Sequence, residues 1–301
     1  MLLLRELTGN PSADLRKMTF PNYRPMLDMT GRGKGICALA SYSGNKVSGL
    51  ILGRFENKEA EMLSVYVNPF FRKKGIASML LKQFEKKAAA AGCSKIKAAF
   101  TSAMPSFGAV KRLFEKNGWS KPQKRMKLIY FSRENLYREI QENPRYEKYK
   151  NALLPKGFEL VKWCELQPEK IAQIKSRHNQ PGGWTDDNTP FREPEKMEKL
   201  NSFAILKDDS VAGWFITHRI NPDTIRYTQI YNDPVANGMR GIIIQTVIHA
   251  YWLHAMYGPE KGCFIIYEWN TSLLKIFEKL MEKLTDSCTE SFGVEKDIGQ
   301  D

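Results

Sequence analysis

The sequence predicts an α/β chain made of two similar domains in tandem. Residues 61–77 read as a short strand that stops at Asn68-Pro69 and passes into a helix that begins after a glycine. Segments with strand character and segments with helical spacing alternate along residues 1–131. At 301 residues the chain is about twice as long as a typical domain, and its second half weakly repeats the first.

The elements of the first half follow from local composition. Ser12 is expected to cap a short helix, and the glycines at 92 and 118 to end two longer ones. Two strands are expected to flank a hairpin turn at 43–46. The predicted elements are strands over 2–7, 37–43, 47–55, 62–67, 96–100 and 126–131, and helices over 14–18, 76–91 and 107–117.

The junction between the strand at 62–67 and the helix from Ile76 has the features of an anion site. The first N–H groups of a helix have no partner within it, and the helix dipole places about half a positive charge there. Gly75 and Ala77 leave the backbone uncovered. Three cations precede the helix, at positions 72 to 74. A diphosphate group suits such a junction.

This junction resembles the acetyl-CoA pyrophosphate motif of the Gcn5-related N-acetyltransferase (GNAT) superfamily. Val67, Pro69, Arg72, Gly75 and Ala77 fill the pattern V-x-P-x-x-[QR]-x-x-G-x-[GA]. The resemblance implies an α/β (α+β) fold of two GNAT-like domains, each a mixed, mostly antiparallel central sheet flanked by helices. It also implies acetyl-CoA as cosubstrate, and transfer of the acetyl group to a primary amine by direct attack in a ternary complex.

The resemblance also assigns coenzyme-binding residues. Backbone groups of Val65 and Val67 would bind the pantetheine arm where two central strands separate, and backbone N–H groups of residues 72–77 would bind the diphosphate. Ser106 stands where many members carry the asparagine of the motif Asn-x-x-Ala-x-x-Leu-Tyr. The assigned set is Val65, Val67, Arg72, Lys73, Lys74, Gly75, Ile76, Ala77 and Ser106.

Amide formation needs a base for the amine and an acid for the departing thiolate. Glu61 lies six residues before Val67, where some family members carry a glutamate base; it is equally a solvated carboxylate at a strand end beside Lys58. Phe114 replaces the tyrosine of the family motif and cannot donate a proton. Tyr66, a tyrosine of the second domain or a water takes that role, or the thiolate leaves unassisted.

The second half repeats the first after a short insertion. Residues 45–51 align with 209–215, and Gly75 then aligns with Gly241. Residues 263–267 and 274–279 resemble the strand at 96 and the helix at 111–116. We expect domains at residues 1–131 and 157–301, joined by a helical connector over 132–156.

The second anion position is weaker than the first. Gly238 replaces Arg72, and Ile243 replaces Ala77, so a positive charge is lost and a branched side chain stands at the helix mouth. We therefore expect one acetyl-CoA site, in the first domain. The second domain would serve as scaffold, lid or wall of the acceptor site.

Charge and composition limit the partners. Lys and Arg outnumber Asp and Glu by 24 to 8 in residues 1–131, whereas the counts are 22 and 25 in residues 132–301. The positive half favours anionic partners, coenzyme A among them. The basic segment 121–127 lacks stacking aromatics, so nucleic acid is not expected as a partner. Scattered cysteines and the lack of a long apolar run favour a cytoplasmic protein without a membrane partner.

Other segments are less informative. Residues 31–35 lack the spacing of a phosphate loop and are expected to form a mobile basic loop. His249 and His254 have no carboxylate neighbours, so we expect them to pack rather than to bind metal, and no metal site is predicted. Residues 182–187 are either a turn or part of an acceptor pocket.

The amine acceptor cannot be read from the sequence, and a homodimer is left open. A non-catalytic acyl-CoA-binding or regulatory module is the second functional hypothesis, because the motif tyrosine is missing. A nucleic-acid-binding protein built on this fold is the third, and it rests only on the charge of residues 1–131.

Overall fold

The computed structural model describes residues 2–33, 35–150, 153–181, 183–234, 239–271, 274–275 and 282–299. It divides into two compact units. The first unit comprises Met1–Arg125 together with Glu290–Asp301, and the second comprises Met126–Thr289. Among the described residues, no helix is both long enough and apolar enough to cross a membrane.

In residues 1–132 the predicted strands and helices occur in their predicted order, with one further short helix at Arg24–Leu27. The first ten are β1 Leu2–Glu6, α1 Ala13–Lys17, α2 Arg24–Leu27, β2 Ile36–Ser43, β3 Lys46–Glu56, β4 Glu59–Val67, α3 Ile76–Ala90, β5 Lys95–Thr101, α4 Phe107–Lys116 and β6 Gln123–Ser132. The others are α5 Arg133–Glu142, α6 Pro144–Lys150, β7 Phe158–Lys162, α7 Pro168–Ser176, β8 Phe203–Lys207, β9 Ser210–Asn221, β10 Thr224–Asn232, α8 Met239–Tyr257, β11 Lys261–Tyr267 and β12 Ser287–Asp297.

The sheet of the first unit has the strand order β1-β2-β3-β4-β5-β12. Its pairs are antiparallel except β4 with β5, which run parallel. Phe84 of α3 and Phe114 of α4 are buried on one face, whereas Leu15 and Leu27 of the two short N-terminal helices are buried on the other. The predicted mixed, mostly antiparallel sheet flanked by helices is therefore confirmed for this unit.

The sheet of the second unit has the order β6-β11-β10-β9-β8-β7. Here too one pair, β10 with β11, is parallel, and the others are antiparallel. Tyr251 of α8 packs in a core cluster with Phe131 and Ile266 of the sheet. The second unit thus has the same architecture as the first, as the sequence repeat predicts.

The two units also share their irregularities. β3 has one extra residue, Ser48, opposite the step from Ser41 to Tyr42, and β9 has one extra residue, Ala212, at the aligned position. The carbonyl of Ser48 accepts a hydrogen bond from the N–H of Asn68 at 2.9 Å, and that of Ala212 from the N–H of Asp233 at 2.8 Å. The alignment of residues 45–51 with 209–215 is confirmed by this match.

The units differ from the predicted division at residues 131 and 157. Residues 126–132 of β6, expected to complete the first domain, pair with β11 in the second unit. Residues 291–297 of β12 pair instead with β5 in the first unit. Local composition predicts that a strand forms, but the choice of edge depends on residues far away in the chain.

The predicted connector over 132–156 is helical, but it is part of the second unit. Leu136 and Ile140 of α5 and Tyr146 of α6 are buried in that unit's core. These three apolar residues form the packing face of an amphipathic segment, which is therefore not a free linker. Residues 151–152, at its end, lie outside the described residues.

Candidate active site

The central strands of the first unit separate midway. Parallel pairing between β4 and β5 ends at Met62 and Ala98. At that point β4 carries an extra residue, Leu63, because Leu52 of β3 pairs with Ser64 and Gly53 pairs with Met62. Beyond it β4 continues to Val67 and stays paired with β3 on its other side. The edge of residues 63–67 that faces β5 is left open for a ligand.

Val65 and Val67 lie on this open stretch, as the resemblance implies. Their side chains pack against the cluster that contains α3 and α4. Their backbones pair with Ile51 and Gly49 of β3. An extended arm lying along β4 would therefore meet main-chain groups on one side and the apolar cluster on the other.

The loop after β4 leads directly to the helix mouth. Asn68 accepts a hydrogen bond through its side chain from the N–H of Phe70 at 3.2 Å, which fixes the turn after the strand. Gly75 has φ +77° and its carbonyl accepts the N–H of Met79 at 3.0 Å, so α3 begins there. A Cβ at Gly75 would meet nothing within 4 Å. The space beside Gly75, at the start of α3, is therefore open.

The three cations of the loop are exposed around this mouth. The Nε of Arg72 donates to the carbonyl of Val67 at 3.1 Å, which places the guanidinium beside the end of β4. Lys73 adopts φ +61°, and the ammonium of Lys74 lies 5.5 Å from the ring centre of Phe71. Ile76 is buried under the helix, whereas Ala77 is half-buried. Residues 72–77 are thus brought together in one positively charged stretch at the start of α3.

Ser106 lies at the start of α4, the helix that follows β5. Its carbonyl accepts the N–H of Val110 at 2.9 Å, and its side chain makes no capping hydrogen bond. The far end of the same helix is tied to α3, because Asn117 donates through Nδ2 to the Oγ of Ser78 at 3.1 Å. Sequence reasoning did not single out Asn117, whose only signal is its position before the terminating glycine.

Glu61 lies on the sheet face opposite α3, in an open groove of about 640 Å³. Arg54 of β3 donates to Oε2 of Glu61 from both Nε and Nη2, at 2.7 Å each. The other oxygen, Oε1, makes no hydrogen bond within the described part of the chain. Glu61 lies two residues before Leu63, the bulge at which β4 and β5 part. The structure does not bring Lys58, its neighbour in sequence, into contact with it.

The other candidates for proton transfer have contrasting positions. Phe114 is fully buried, with its ring centre 5.6 Å from that of Phe100 and 4.8 Å from that of Trp119. A tyrosine at this position would place its hydroxyl in the apolar cluster. Tyr66 is 36% exposed, and it faces away from Val65 and Val67 because strand neighbours alternate. It therefore shares the groove face with Glu61.

Among its described residues, the second unit carries a cation where the first unit carries Glu61. Its parallel pairing ends at Tyr227 and Phe264, just before an extra residue at Thr228, so Arg226 occupies the position of Glu61. Arg226 pairs with Glu193, and hydrogen bonds from Lys196 and from Arg226 lower the pKa of the Glu193 carboxyl to about 2. The expected correspondence of Gly241 with Gly75 is wrong.

Gly241 is the third residue of α8 and its φ is not positive, so it does not begin a helix as Gly75 does. One extra residue of the second half lies earlier, in β9, where Ile220 stands opposite the step from Thr224 to Ile225. Residues 235–238, which include the predicted replacement Gly238, lie outside the described residues.

Of the two histidines of α8, His254 packs inside the second unit, whereas His249 is exposed with its ring centre 5.3 Å from that of Phe203. His254 is fully buried, with Nδ1 2.9 Å from the hydroxyl of Tyr227 and Nε2 3.0 Å from the carbonyl of Pro259. Burial lowers the pKa of His254 to about 4, so the ring is neutral near pH 7. The carbonyl requires an N–H at Nε2, which leaves Nδ1 to accept from Tyr227.

Comparison with known proteins agrees with this geometry. Residues 7–119 match the model of the acetyltransferase (GNAT) family. No curated protein matches the sequence.

Solved structures extend the similarity of fold to the whole chain. A tandem GNAT protein from the clavulanic acid biosynthesis pathway aligns with a TM-score of 0.60 at 12% identity, over 99% of both chains. A GCN5-related N-acetyltransferase from Sphaerobacter thermophilus aligns with a TM-score of 0.59 at 12% identity, over 99% of this chain and 96% of that one. A glucosamine N-acetyltransferase region of a fungal GH3 β-N-acetylglucosaminidase aligns with a TM-score of 0.61 at 14% identity, over 98% of this chain and 38% of that one.

Proposed function

Since residues 7–119 place the chain in the GNAT superfamily and its fold is that of tandem members, we propose that it transfers an acetyl group from acetyl-CoA to a primary amine. The proposal assigns the coenzyme to the first unit alone. One observation carries it: β4 and β5 part at Met62 and Ala98, and β4 then runs into an open helix mouth at Gly75.

The first unit would bind acetyl-CoA through its backbone. The diphosphate would accept hydrogen bonds from the N–H groups at the start of α3, with Arg72, Lys73 and Lys74 supplying positive charge. The pantetheine arm would lie along the unpaired edge at Val65 and Val67, with Ser106 at the start of the next helix. This route brings the thioester to the gap beside Glu61.

Glu61 would act as the general base. The carboxylate is oriented by Arg54 through Oε2, and Oε1 is left to accept a proton from the amine, directly or through a water. The amine nitrogen then attacks the thioester carbonyl, the C–S bond breaks, and an amide forms. The thiolate leaves with a proton from the hydroxyl of Tyr66 or from water, because Phe114 has none to give.

Calorimetric titration with acetyl-CoA at low salt, followed by a screen of amines, tests the proposal. One site per chain and acetylation of an amine are expected. Two sites would contradict the assignment to the first unit, and a lack of binding would overturn the transferase altogether. Cytoplasmic location and the lack of a nucleic-acid partner stay predictions.

The burial of Phe114 favours one other candidate, a non-catalytic acyl-CoA-binding module. It predicts retained affinity for acetyl-CoA without turnover on any amine. The same screen therefore separates the two functions.

A further inference from the structure

The groove around Glu61 is lined by charges that largely neutralise one another. Arg54, Glu61, Lys97 and Glu295 occupy one row across four neighbouring strands of the first unit, with alternating sign. Arg54 pairs with Glu61, Lys97 with Glu59 at 2.7 Å, and Lys95 with Glu295 at 3.3 Å. Each of these cations therefore already has a carboxylate partner.

Arg125 differs from these residues. It lines the same groove, and its side chain has no ion pair or hydrogen bond among the described residues. Its aliphatic stem lies on Gly293, where a Cβ would stand 2.8 Å from Cδ and 3.3 Å from Cγ of Arg125. Since only a glycine allows the stem to lie so close to β12, the strand and the arginine fit each other. A guanidinium in this position is ready to bind an anion.

The position of Arg125 along the groove relates it to the reacting centre. Gly293 pairs with Ala99, which lies two residues beyond Lys97 and directly after the last parallel pair of β4 and β5. Arg125 thus lies over the row next to that of Glu61, on the side where the strands part. Glu56, which has no ion pair among the residues that the structure describes, lies on the other side of that row, two residues past Arg54.

We propose that the amine acceptor carries an anionic group, a carboxylate or a phosphate, which the guanidinium of Arg125 binds while the amine lies at Glu61. This inference rests on the proposed function, because it names the acceptor class of the same site. One row and two strands separate the backbones at Glu61 and Gly293, which corresponds to roughly 12 Å. The side chains of Glu61 and Arg125 both line the groove, so the amine and the anionic group of the acceptor should be several bonds apart.

A series of ω-amino acids of increasing length, compared with neutral alkylamines of equal length, tests the proposal on the full chain. The ω-amino acids should have the lower KM, with an optimum at several methylenes. Arg125→Gln should raise the KM for them about tenfold to a hundredfold, since a hydrogen bond to a charged group is lost, and leave the KM for alkylamines unchanged. Lys124→Gln removes the same charge one residue away, where Lys124 pairs with Glu290 outside the groove lining, and should leave both unchanged.

Equal KM values for the two amine classes, or an equal effect of Arg125→Gln on both, would overturn the inference. Aminoalkyl phosphates, run beside the ω-amino acids, show which anion the guanidinium prefers. Binding of the same compounds in the presence of coenzyme A is measured by calorimetry as well. Arginine-dependent binding without turnover would contradict the transferase and leave the acceptor site standing, whereas binding unaffected by Arg125→Gln would remove the site.

Discussion

Arg54 holds Glu61 through one carboxylate oxygen: both guanidinium contacts, from Nε and Nη2, go to Oε2 at 2.7 Å. The carboxylate is therefore oriented without having both of its oxygens occupied. Glu59, two residues earlier on the same face, is different, because Lys97 contacts both of its oxygens at 2.7 and 2.8 Å. Of these two carboxylates, Glu61 has the geometry that a base needs.

Glu61→Gln should lower turnover near neutral pH by about a hundredfold or more, since an amide cannot take the proton of the amine. The affinity for acetyl-CoA should not change, because Glu61 is not part of the segment 72–77 that is proposed to bind the diphosphate. Steady-state kinetics and calorimetry measure the two quantities. Glu59→Gln is the matched control and should retain turnover; a Glu61→Gln variant as active as the unmodified protein would remove Glu61 as the base.

Gly75→Glu should abolish detectable binding of acetyl-CoA, because the new side chain brings a negative charge into the open space at the mouth of α3. The positive φ of Gly75 adds a backbone cost of about 1 kcal/mol. Gly75→Ala carries that cost without the charge, and it should retain most of the affinity.

Gly241→Glu is the control from the second unit. Gly241 is helical and its Cβ would meet nothing within 4 Å, so the variant should fold and bind acetyl-CoA normally. Loss of binding from this change, measured by the same titration, would contradict a single site in the first unit.

The strands and the loop between β4 and α3 could be predicted because their signals are local. The tandem repeat could be predicted because similar residues recur in both halves of the sequence. The end of β4, the turn at Pro69 and the glycine before α3 all depend on neighbouring residues. The sequence did not predict that β6 pairs with β11 and that β12 pairs with β5, because the choice of partner depends on contacts across most of the chain. For the same reason the sequence could not predict the contact of Arg125 with Gly293, which lies in the groove.

His254 should make the second unit less stable as the pH falls from 6.5 to 4. Its pKa is about 4 when the chain is folded and 6.5 when it is not, because burial disfavours the charged ring. Between these values the unfolded chain binds a proton that the folded chain does not, so the free energy of unfolding decreases on acidification, by about 3 kcal/mol over the whole window. Above pH 6.5 this contribution is constant.

Urea unfolding of the full chain at pH 7.5 and pH 5 measures the effect. His254→Gln removes the titrating ring, so its stability should differ less between the two pH values than that of the unmodified protein. Other titrating groups are common to both chains and cancel in the comparison. An equal difference in both proteins would show that the burial of His254 does not control the acid response.

A chain ending at Asp286 should lose the folded first unit, although it retains all residues up to 131. Without β12, β5 has no partner on this edge. Phe292, whose ring centre lies 5.9 Å from that of Phe100, and the buried Val294 are also removed from the core. Each such side chain contributes about 1.5–3 kcal/mol on burial, and a domain has only about 5–15 kcal/mol in total. Binding of acetyl-CoA and cooperative unfolding of this unit should both be lost. A chain ending at Gly299 is the control, and a fragment of residues 1–131 that binds acetyl-CoA as tightly as the full chain would support the division predicted from the sequence instead.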